Sequence, residues 1–486
     1  MIIAALVSAE VFCMCTAAFF LFRMNGNTFS EAASYAIIIV FMLLSFIRQI
    51  SFITGYPIIS TCIEIFCLIA CIILIFRQRS YIPGLFGAIK NFGSANFLPF
   101  IFLISCFLYM AIHAFLSVPK EFPVDFFSFA ATSDFPSFFL PLNHSILFNT
   151  FLRFGIDSGA GIFSFLAYLS IGFSTYALAR RYSWHPTAFT VSILVMSMPR
   201  LVVQAIYPGT QIISVAVALF CILAIYRTVE LPNLTDLILL ILGLCFYISG
   251  NISSIIFAPI LFVLSCVVLF RRHGIITWKS ILGKNYTAFL AVVPAVIFSH
   301  FWLKDSWSGV FSSISFNKDG IQGAIANFIR YVFESFYFTA SIDIFFERVF
   351  NWNLAQALES LHDFCVGPFL GEGGAAQAFH LAGLPNEMFS FGPVGFFLVL
   401  PALFYAAVKG PRRLKAVAIA FFVYFYLISL IIAWAPGNAK FFELFYVCAG
   451  FSIAFFFPPW RFTKRNKKFF QAAGCFLLFF TLLTAG

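Results

Sequence analysis

Residues 57–76 read PIISTCIEIFCLIACIILIF, and Glu64 is the one charged residue among them. A helix of about 20 apolar residues spans the hydrocarbon core of a bilayer, because it satisfies its own backbone hydrogen bonds there. Similar runs recur along the whole chain, and they predict membrane spans near residues 1–22, 33–53, 57–76, 97–116, 157–178, 186–206, 210–227, 235–250, 253–270, 285–303, 389–408, 415–435, 440–457 and 468–485.

The composition supports a membrane protein and excludes an ordinary soluble domain. Of the 486 residues, 62% are hydrophobic and 10% are charged, whereas soluble domains carry roughly 25% charged residues. Alternating strands of about ten residues, which would indicate an outer-membrane barrel, are not evident in the sequence. The sequence therefore predicts an all-α polytopic membrane protein with about 13–14 transmembrane helices.

The net charge is +10, and the Lys and Arg residues lie in short clusters between the apolar runs. This distribution indicates membrane topology and not a surface that binds nucleic acid. If the N-terminus is external, one side of the membrane receives the clusters Arg77 and Arg79, Arg180 and Arg181, Arg271 and Arg272, Lys409 to Lys415, and Arg461 to Lys468. Basic residues concentrate on the cytoplasmic side of membrane proteins. Both termini and two large loops, 117–152 and 304–390, are then expected on the non-cytoplasmic side.

These loops divide the chain into four predicted regions. Residues 1–116 are N-terminal transmembrane helices, and 117–303 are a transmembrane core that begins with the loop 117–152. Residues 304–390 form the second outer loop, and 391–486 are C-terminal transmembrane helices. Within the second loop, apolar residues repeat at helical spacing from Ile321 to Phe336 and from Leu354 to Phe364. This spacing predicts two amphipathic helices at the membrane interface.

The first outer loop contains carboxylates beside His144 and Arg153. Asp125 lies soon after the end of a predicted span, between Val124 and Phe126, where partial desolvation would raise the pKa of its carboxyl. Such a carboxylate suits a general base that acts on a hydroxyl. The alternative is that the loop carboxylates simply face water.

Two further cations are candidates for substrate binding. Lys440 follows a predicted Pro-Gly-Asn turn and begins a span, so its ammonium could hold a lipid-linked phosphate or simply reach the interface. Arg200, like Arg48, lies within or near a predicted span, where a cation is costly. Each of these two arginines is either functional or paired with an acid such as Glu64 or Glu10. The sequence contains no recognisable metal-binding, nucleotide-binding or nucleic-acid-binding motif.

The order of several segments resembles the GT-C superfamily of membrane glycosyltransferases, in the type that includes protein O-mannosyltransferases and bacterial aminoarabinose transferases. The likeness covers about residues 122–457. It comprises the loop acid Asp125, the stretches PSFFLPLNHS (136–145) and YALARRYSWHPTAFTVSILVMSMPRLVVQA (176–205), then NEMFSFGPVGFFLVLPALF (386–404) and WAPGNAKFF (434–442).

The resemblance implies a transferase that moves a sugar from a polyprenyl-phosphate donor to an acceptor on the outer face of a membrane, such as a bacterial inner membrane. Asp125 matches the base that acts on the acceptor, and Lys440 matches the cation near the donor phosphate. Glu387 matches a position where many relatives keep an acid. Arg153, Arg200 and His144 complete the expected substrate-binding set. No metal or other cofactor is implied.

Two alternatives accompany this hypothesis. Relatives carry a second acid after the sixth span, where this chain has Gln211. Because this acid is missing, the first alternative is that the chain is a catalytically inactive relative that serves as a structural subunit of a larger membrane complex. The second alternative is a transporter or lipid flippase, which would need a polar path near the membrane midplane.

The topology can be tested with a cysteine introduced at Ser308, in the second loop. We expect a membrane-impermeant thiol reagent to label this residue from the non-cytoplasmic side, because the basic clusters orient the chain that way. Labelling from the cytoplasmic side alone would overturn the assignment.

Overall fold

The computed structural model describes residues 1–84, 87, 97–117, 142–156, 158–248, 250–283, 292–300, 316–336, 347–370, 379, 391–434, 438–457 and 464–485. Within these ranges every long element is a helix, and the β pairing consists of an isolated bridge between Phe316 and Ile432. Every predicted span overlaps one or more helices in its described part.

The N-terminal two thirds of the chain form eleven of the helices named here. They are α1 (Ile2–Met24), α2 (Phe29–Thr54), α3 (Pro57–Arg77), α4 (Phe97–Leu116), α5 (Ile162–Ala179), α6 (His185–Met196), α7 (Pro199–Ile206), α8 (Thr210–Glu230), α9 (Leu234–Ile248), α10 (Ile252–Gly283) and α11 (Val292–His300). Short helical turns, Leu142–Ser145, Ile146–Phe148 and Asn149–Leu152, precede α5.

The C-terminal third adds six named helices. They are α12 (Gly320–Phe336), α13 (Leu354–Leu370), α14 (Leu400–Lys409), α15 (Arg412–Ile431), α16 (Glu443–Ala449) and α17 (Lys464–Ala485). A helical turn, Gly392–Val394, and a π-helical turn, Gly395–Val399, lead directly into α14. The 3₁₀ turn Asn438–Phe442 leads into α16.

Nine helices in the described ranges are long and apolar enough to cross a membrane, and a tenth is counted if α6 and α7 form one broken span. Two further apolar helices, Leu234–Ile248 and Glu443–Phe456, are shorter. The protein is therefore an all-α, polytopic integral membrane protein. The expected helices within the second loop are present as α12 and α13.

The predicted span 186–206 is broken into α6 and α7, which are bent by 70°. Pro199 begins α7, and Met198 before it adopts an extended conformation. Proline disfavours the helical conformation in the residue before it and lacks an N–H for the helix ladder. The Ser197 hydroxyl donates a hydrogen bond to the carbonyl of Leu194, 2.8 Å away, which satisfies a backbone group at the break.

The centre of the bundle is α8. In its most apolar 18-residue stretch 94% of the residues are buried, and α2 and α5 pack around it. In contrast, only 11% of the residues in the most apolar 18-residue stretch of α3 are buried, so α3 lies at the periphery. Aromatic contacts fill the interior, such as the Tyr35 ring against Phe220, with centroids 5.0 Å apart. In hydrocarbon such close packing, and not the exclusion of water, favours helix association.

An ion-pair network joins four helix termini at one end of the bundle. The guanidinium of Arg181 lies 2.7 Å from Glu31 and 2.8 Å from Glu230, and Arg227 lies 3.7 Å from Glu31 and 3.9 Å from Asp236. We call this the Arg181 end, where α5 and α8 finish and α2 and α9 begin. The opposite end, where α2, α9 and α15 finish, is called the Trp434 end.

The Arg181 network should be essential for stability. Arg181→Met keeps an unbranched apolar side chain but leaves the buried Glu31 carboxylate with the more distant Arg227. We expect the free energy of unfolding to fall by about 3–5 kcal/mol, as when one partner of a buried ion pair is removed. Thermal unfolding in detergent micelles measures the change.

Arg180→Met is the matched control, because Arg180 donates to the Ser183 carbonyl and does not belong to the network. Its effect should be well below that of Arg181→Met. Equal destabilisation by both substitutions would contradict a specific role for the network.

Candidate functional site

Three of the six residues expected at the site have described side chains. Asp125 and Glu387 lie outside the described residues. The backbone of Lys440 belongs to the turn Asn438–Phe442, but its side chain also lies outside the described part. Arg153, Arg200 and His144 are described, and each has different partners. The structure therefore does not bring these three together through shared contacts.

Arg153 is held by an acid of α3. Its Nη2 lies 2.6 Å from Oε2 of Glu64, and Glu64 also pairs with Arg48 of α2. The side chains of Glu64 and Arg48 are each 3% exposed. Arg48 is therefore paired with Glu64, as one of the two interpretations of the sequence expected, and the group ties the segment before α5 to α2 and α3.

His144 is fully buried between α8 and α9. Its Nδ1 lies 3.0 Å from the Ser214 hydroxyl, and its ring centroid lies 5.0 Å from that of Phe246. A Cβ added at Gly250 would lie 2.0 Å from this ring, so glycine is required there for the close approach. Burial lowers the pKa of His144 to about 3. The imidazole is therefore neutral at physiological pH and contributes no positive charge for a phosphate.

Arg200 pairs with an acid that the sequence did not identify. Its Nε donates to Oε2 of Glu443 at 3.2 Å, and Nε2 of Gln204 donates to the same oxygen at 2.7 Å. Arg200 is 8% exposed and Glu443 is 1% exposed. The expectation of pairing was correct in kind, but neither Glu64 nor Glu10 is the partner. The bend at Pro199 places Arg200 in the first turn of α7, facing α16.

Glu334 of α12 is a second buried acid beside this pair. It is 2% exposed, and neither carboxyl oxygen has a hydrogen bond within the described structure. Burial raises the pKa of Glu334 to about 8, although the Trp434 indole N–H and the Arg200 guanidinium both favour its charged form. At neutral pH this carboxyl is therefore mostly protonated.

Aromatic and basic side chains surround the Glu334 carboxyl. Arg330 lies over the Trp434 ring, with its Cζ 5.7 Å from the ring centroid. Tyr331 and Tyr446 are close enough to Glu334 to interact with it electrostatically. We define the Arg200 cluster as the following set from α7, α12, α16 and the residues after α15: Arg200, Gln204, Arg330, Tyr331, Glu334, Trp434, Glu443 and Tyr446.

The Arg200 cluster has the composition of a site for an oxygen-rich anion. With Glu334 neutral, Arg200 and Arg330 carry two positive charges and Glu443 carries one negative charge, so the sum is +1. One buried donor, Nη1 of Arg200, has no hydrogen-bond partner among the described residues, and the indole N–H of Trp434 is directed at the Glu334 carboxyl. Buried donors of this kind normally find a partner, which can be water or a ligand.

Sequence reasoning missed Glu443 and Glu334, although each had a signal. Glu443 is an isolated acid inside the apolar run 440–457, and such acids are functional candidates by default. Glu334 follows Asn327 and Arg330 at helical spacing, which makes a polar stripe along α12. The interpretation of that segment considered only its apolar residues.

Within the described part of the chain, no three His, Cys, Asp or Glu side chains lie together in a group that could hold a metal ion. Neither a protein-family model, nor a curated protein, nor a solved structure matches this chain.

The raised pKa of Glu334 predicts a pH dependence of stability. Below about pH 4.5 both the folded and the unfolded state bind the proton, so this group gives no dependence there. Between pH 4.5 and about 8 the unfolded state ionises first, so stability falls as the pH rises, and it levels off above the folded pKa. We expect a total loss on the order of a few kcal/mol.

Glu334→Gln should remove most of this slope, because the amide does not titrate. The midpoint of thermal unfolding, measured in detergent from pH 5 to 8.5, gives the comparison. Glu347→Gln, at an exposed acid outside the cluster, should keep the slope of the wild type. If Glu334→Gln also keeps that slope, Glu334 is not the titrating group.

Proposed function

We propose that the protein is a GT-C-like glycosyltransferase that moves a sugar from a polyprenyl-phosphate donor to an acceptor on the outer face of the membrane. The Arg200 cluster is the observation that carries the proposal. It concentrates two guanidinium groups at one end of a membrane bundle, and Nη1 of Arg200 has no hydrogen-bond partner within the described part of the chain. A lipid-linked phosphate presents its charge at that depth, beside the hydrocarbon.

The cluster adjoins the turn in which the resemblance places the donor phosphate. Glu443 begins α16 directly after Asn438–Phe442, which contains Lys440. Arg200 is therefore tied to the helix that follows Lys440 in the chain. In the proposed site, Lys440 contacts the phosphate as a point charge and Arg200 provides planar guanidinium donors. A protonated Glu334 adds no repulsion toward the phosphate.

The proposed reaction is an inverting displacement. Asp125 accepts the proton of an acceptor hydroxyl while the hydroxyl oxygen forms a bond to the anomeric carbon of the sugar. The bond between that carbon and the phosphate oxygen breaks, and its electron pair leaves with the polyprenyl phosphate. Lys440 and Arg200 stabilise the charge that develops on this leaving group.

One contact favours the alternative of a non-catalytic subunit. Gln211, at the position where relatives carry a second acid, accepts a hydrogen bond from Asn251 at 3.1 Å. Its amide therefore joins the start of α8 to the start of α10, which is a structural role. Under this alternative, the Arg200 cluster would hold helices together and bind no substrate.

Sugar transfer by the purified chain in lipid nanodiscs distinguishes the two functions. We expect transfer from a polyprenyl-phosphate sugar, and Asp125→Asn should reduce the rate by about 10²–10⁴-fold, as for loss of a general base. Lys440→Ala should mainly raise the donor concentration needed for half-maximal rate. Asp134→Asn, at another acid of the first loop, is the matched control and should leave the rate nearly unchanged.

Equal rates for the wild type and Asp125→Asn would eliminate Asp125 as the base. If the wild type transfers no sugar from any polyprenyl-phosphate donor and co-purifies with other membrane subunits, the non-catalytic function is favoured instead.

A further inference from the structure

Helix α12 turns its polar side toward the protein. Asn327, Arg330 and Glu334 are buried, with exposures of 4%, 3% and 2%. The amide of Asn327 donates to the carbonyls of Ser429 and Ile432, each at 3.1 Å, so this face is docked on the end of α15. The buried side of α12 thus combines these three strongly polar residues with Ala324, Ala326 and Tyr331.

Near its N-terminal end, the opposite side of α12 is mostly apolar and exposed, with Gln322 as an exposed polar residue beside the apolar stripe. Ile321 and Ile325, one helical turn apart, are 66% and 52% exposed, and Ile329 continues the same stripe with partial exposure. The neighbouring segment 347–370 exposes the large apolar side chains Val349, Phe350, Trp352, Leu361 and Phe364, but it also exposes the charged residues Glu347, Arg348 and Asp363. His362 of that segment is buried against the Phe379 ring, with centroids 4.5 Å apart.

This arrangement is the reverse of an amphipathic helix on the surface of a soluble protein. In water, a helix gains free energy by burying its apolar stripe and leaving its charged side chains solvated. In α12, by contrast, Asn327, Arg330 and Glu334 are buried, whereas Ile321 and Ile325 are exposed. Exposed isoleucine side chains and buried polar side chains are both favourable if the medium outside the helix is hydrocarbon and not water.

Helix α12 packs on α15, an apolar span whose exposed side is also apolar. Ile419 and Val423 of the apolar span α15 are 50% and 42% exposed. Phe328 of α12 packs on Phe425 of the same span, with ring centroids 4.7 Å apart. The exposed Lys318 and Asp319 precede α12 and suit the point at which the chain meets water.

We propose that the stripe Ile321–Ile325 of α12 is embedded in the hydrocarbon layer and contacts the acyl chains of membrane lipids. The polar face of α12 points away from the lipid and contributes Arg330 and Glu334 to the Arg200 cluster. This differs from an interfacial helix, whose polar face would be in water. The surface is the lateral wall of the cluster, and its occupant is lipid, whatever reaction the cluster supports.

Photo-crosslinking in nanodiscs of defined phospholipid tests this surface on the full chain. A benzophenone amino acid replaces Ile325 in one variant, Ile321 in a second, Ile419 in a third and Lys318 in a fourth. Ile419 lies on a membrane span and is the positive control, whereas Lys318 is the aqueous control. Mass spectrometry of the irradiated protein detects covalent phospholipid adducts.

We expect phospholipid adducts at Ile325 and Ile321 in yields like that at Ile419, and a strong loss of adducts at Lys318. Ile321 and Ile325 are tested in separate variants, so if one variant fails to fold, the other still measures lipid contact. Adduct yields at both stripe positions as low as at Lys318 would overturn the proposal. Crosslinks from the stripe to another segment of the chain, a second copy or a different protein, in place of lipid, would also overturn it.

Discussion

The pairing of buried charges constrains this fold more than any other interaction. Hydrocarbon outside the bundle is as apolar as its side chains, so apolar contacts alone select helix neighbours only weakly. Charges select them strongly, because an isolated charge in this environment is costly. The pairs Arg181 with Glu31, Arg153 with Glu64 and Arg200 with Glu443 join elements far apart in sequence. Each pair therefore determines which two elements are neighbours and how far one is shifted along the other.

The Arg200 pair also explains why a broken helix lies beside a site. A straight span over 186–206 would continue the direction of α6, whereas the 70° bend redirects Arg200 and Gln204 toward Glu443. Glu334 then lies beside the ion pair of Arg200 and Glu443, in which the two charges cancel. Burial raises the pKa of Glu334, and the Arg200 guanidinium, which pairs with Glu443, offsets this only in part, so the Glu334 carboxyl holds its proton. The cluster thus gains a residual positive charge.

The sequence predicted local structure well and distant partners poorly, for physical reasons. Apolar runs and helical spacing depend on neighbouring residues, so the spans and α12 could be located. The partner of Arg48 was among the acids considered, because Glu64 lies only one helical hairpin away. The partner of Arg200 lies 243 residues away, and no local pattern encodes it. Periodicity likewise located the faces of α12, but which face points inward depends on the surrounding medium, and spacing does not reveal that.

The short connection between α2 and α3 has a consequence for biosynthesis. Gly55, in a left-handed conformation, and Tyr56 alone separate the two helices, and Arg48 and Glu64 pair across this turn. A translocon that released α2 by itself would place an uncompensated guanidinium in lipid, and α3 by itself would bring a carboxylate. Insertion as a closed hairpin neutralises both charges before either meets the acyl chains. The earliest charge pair of the bundle can therefore form during synthesis, before Arg153 has emerged from the ribosome.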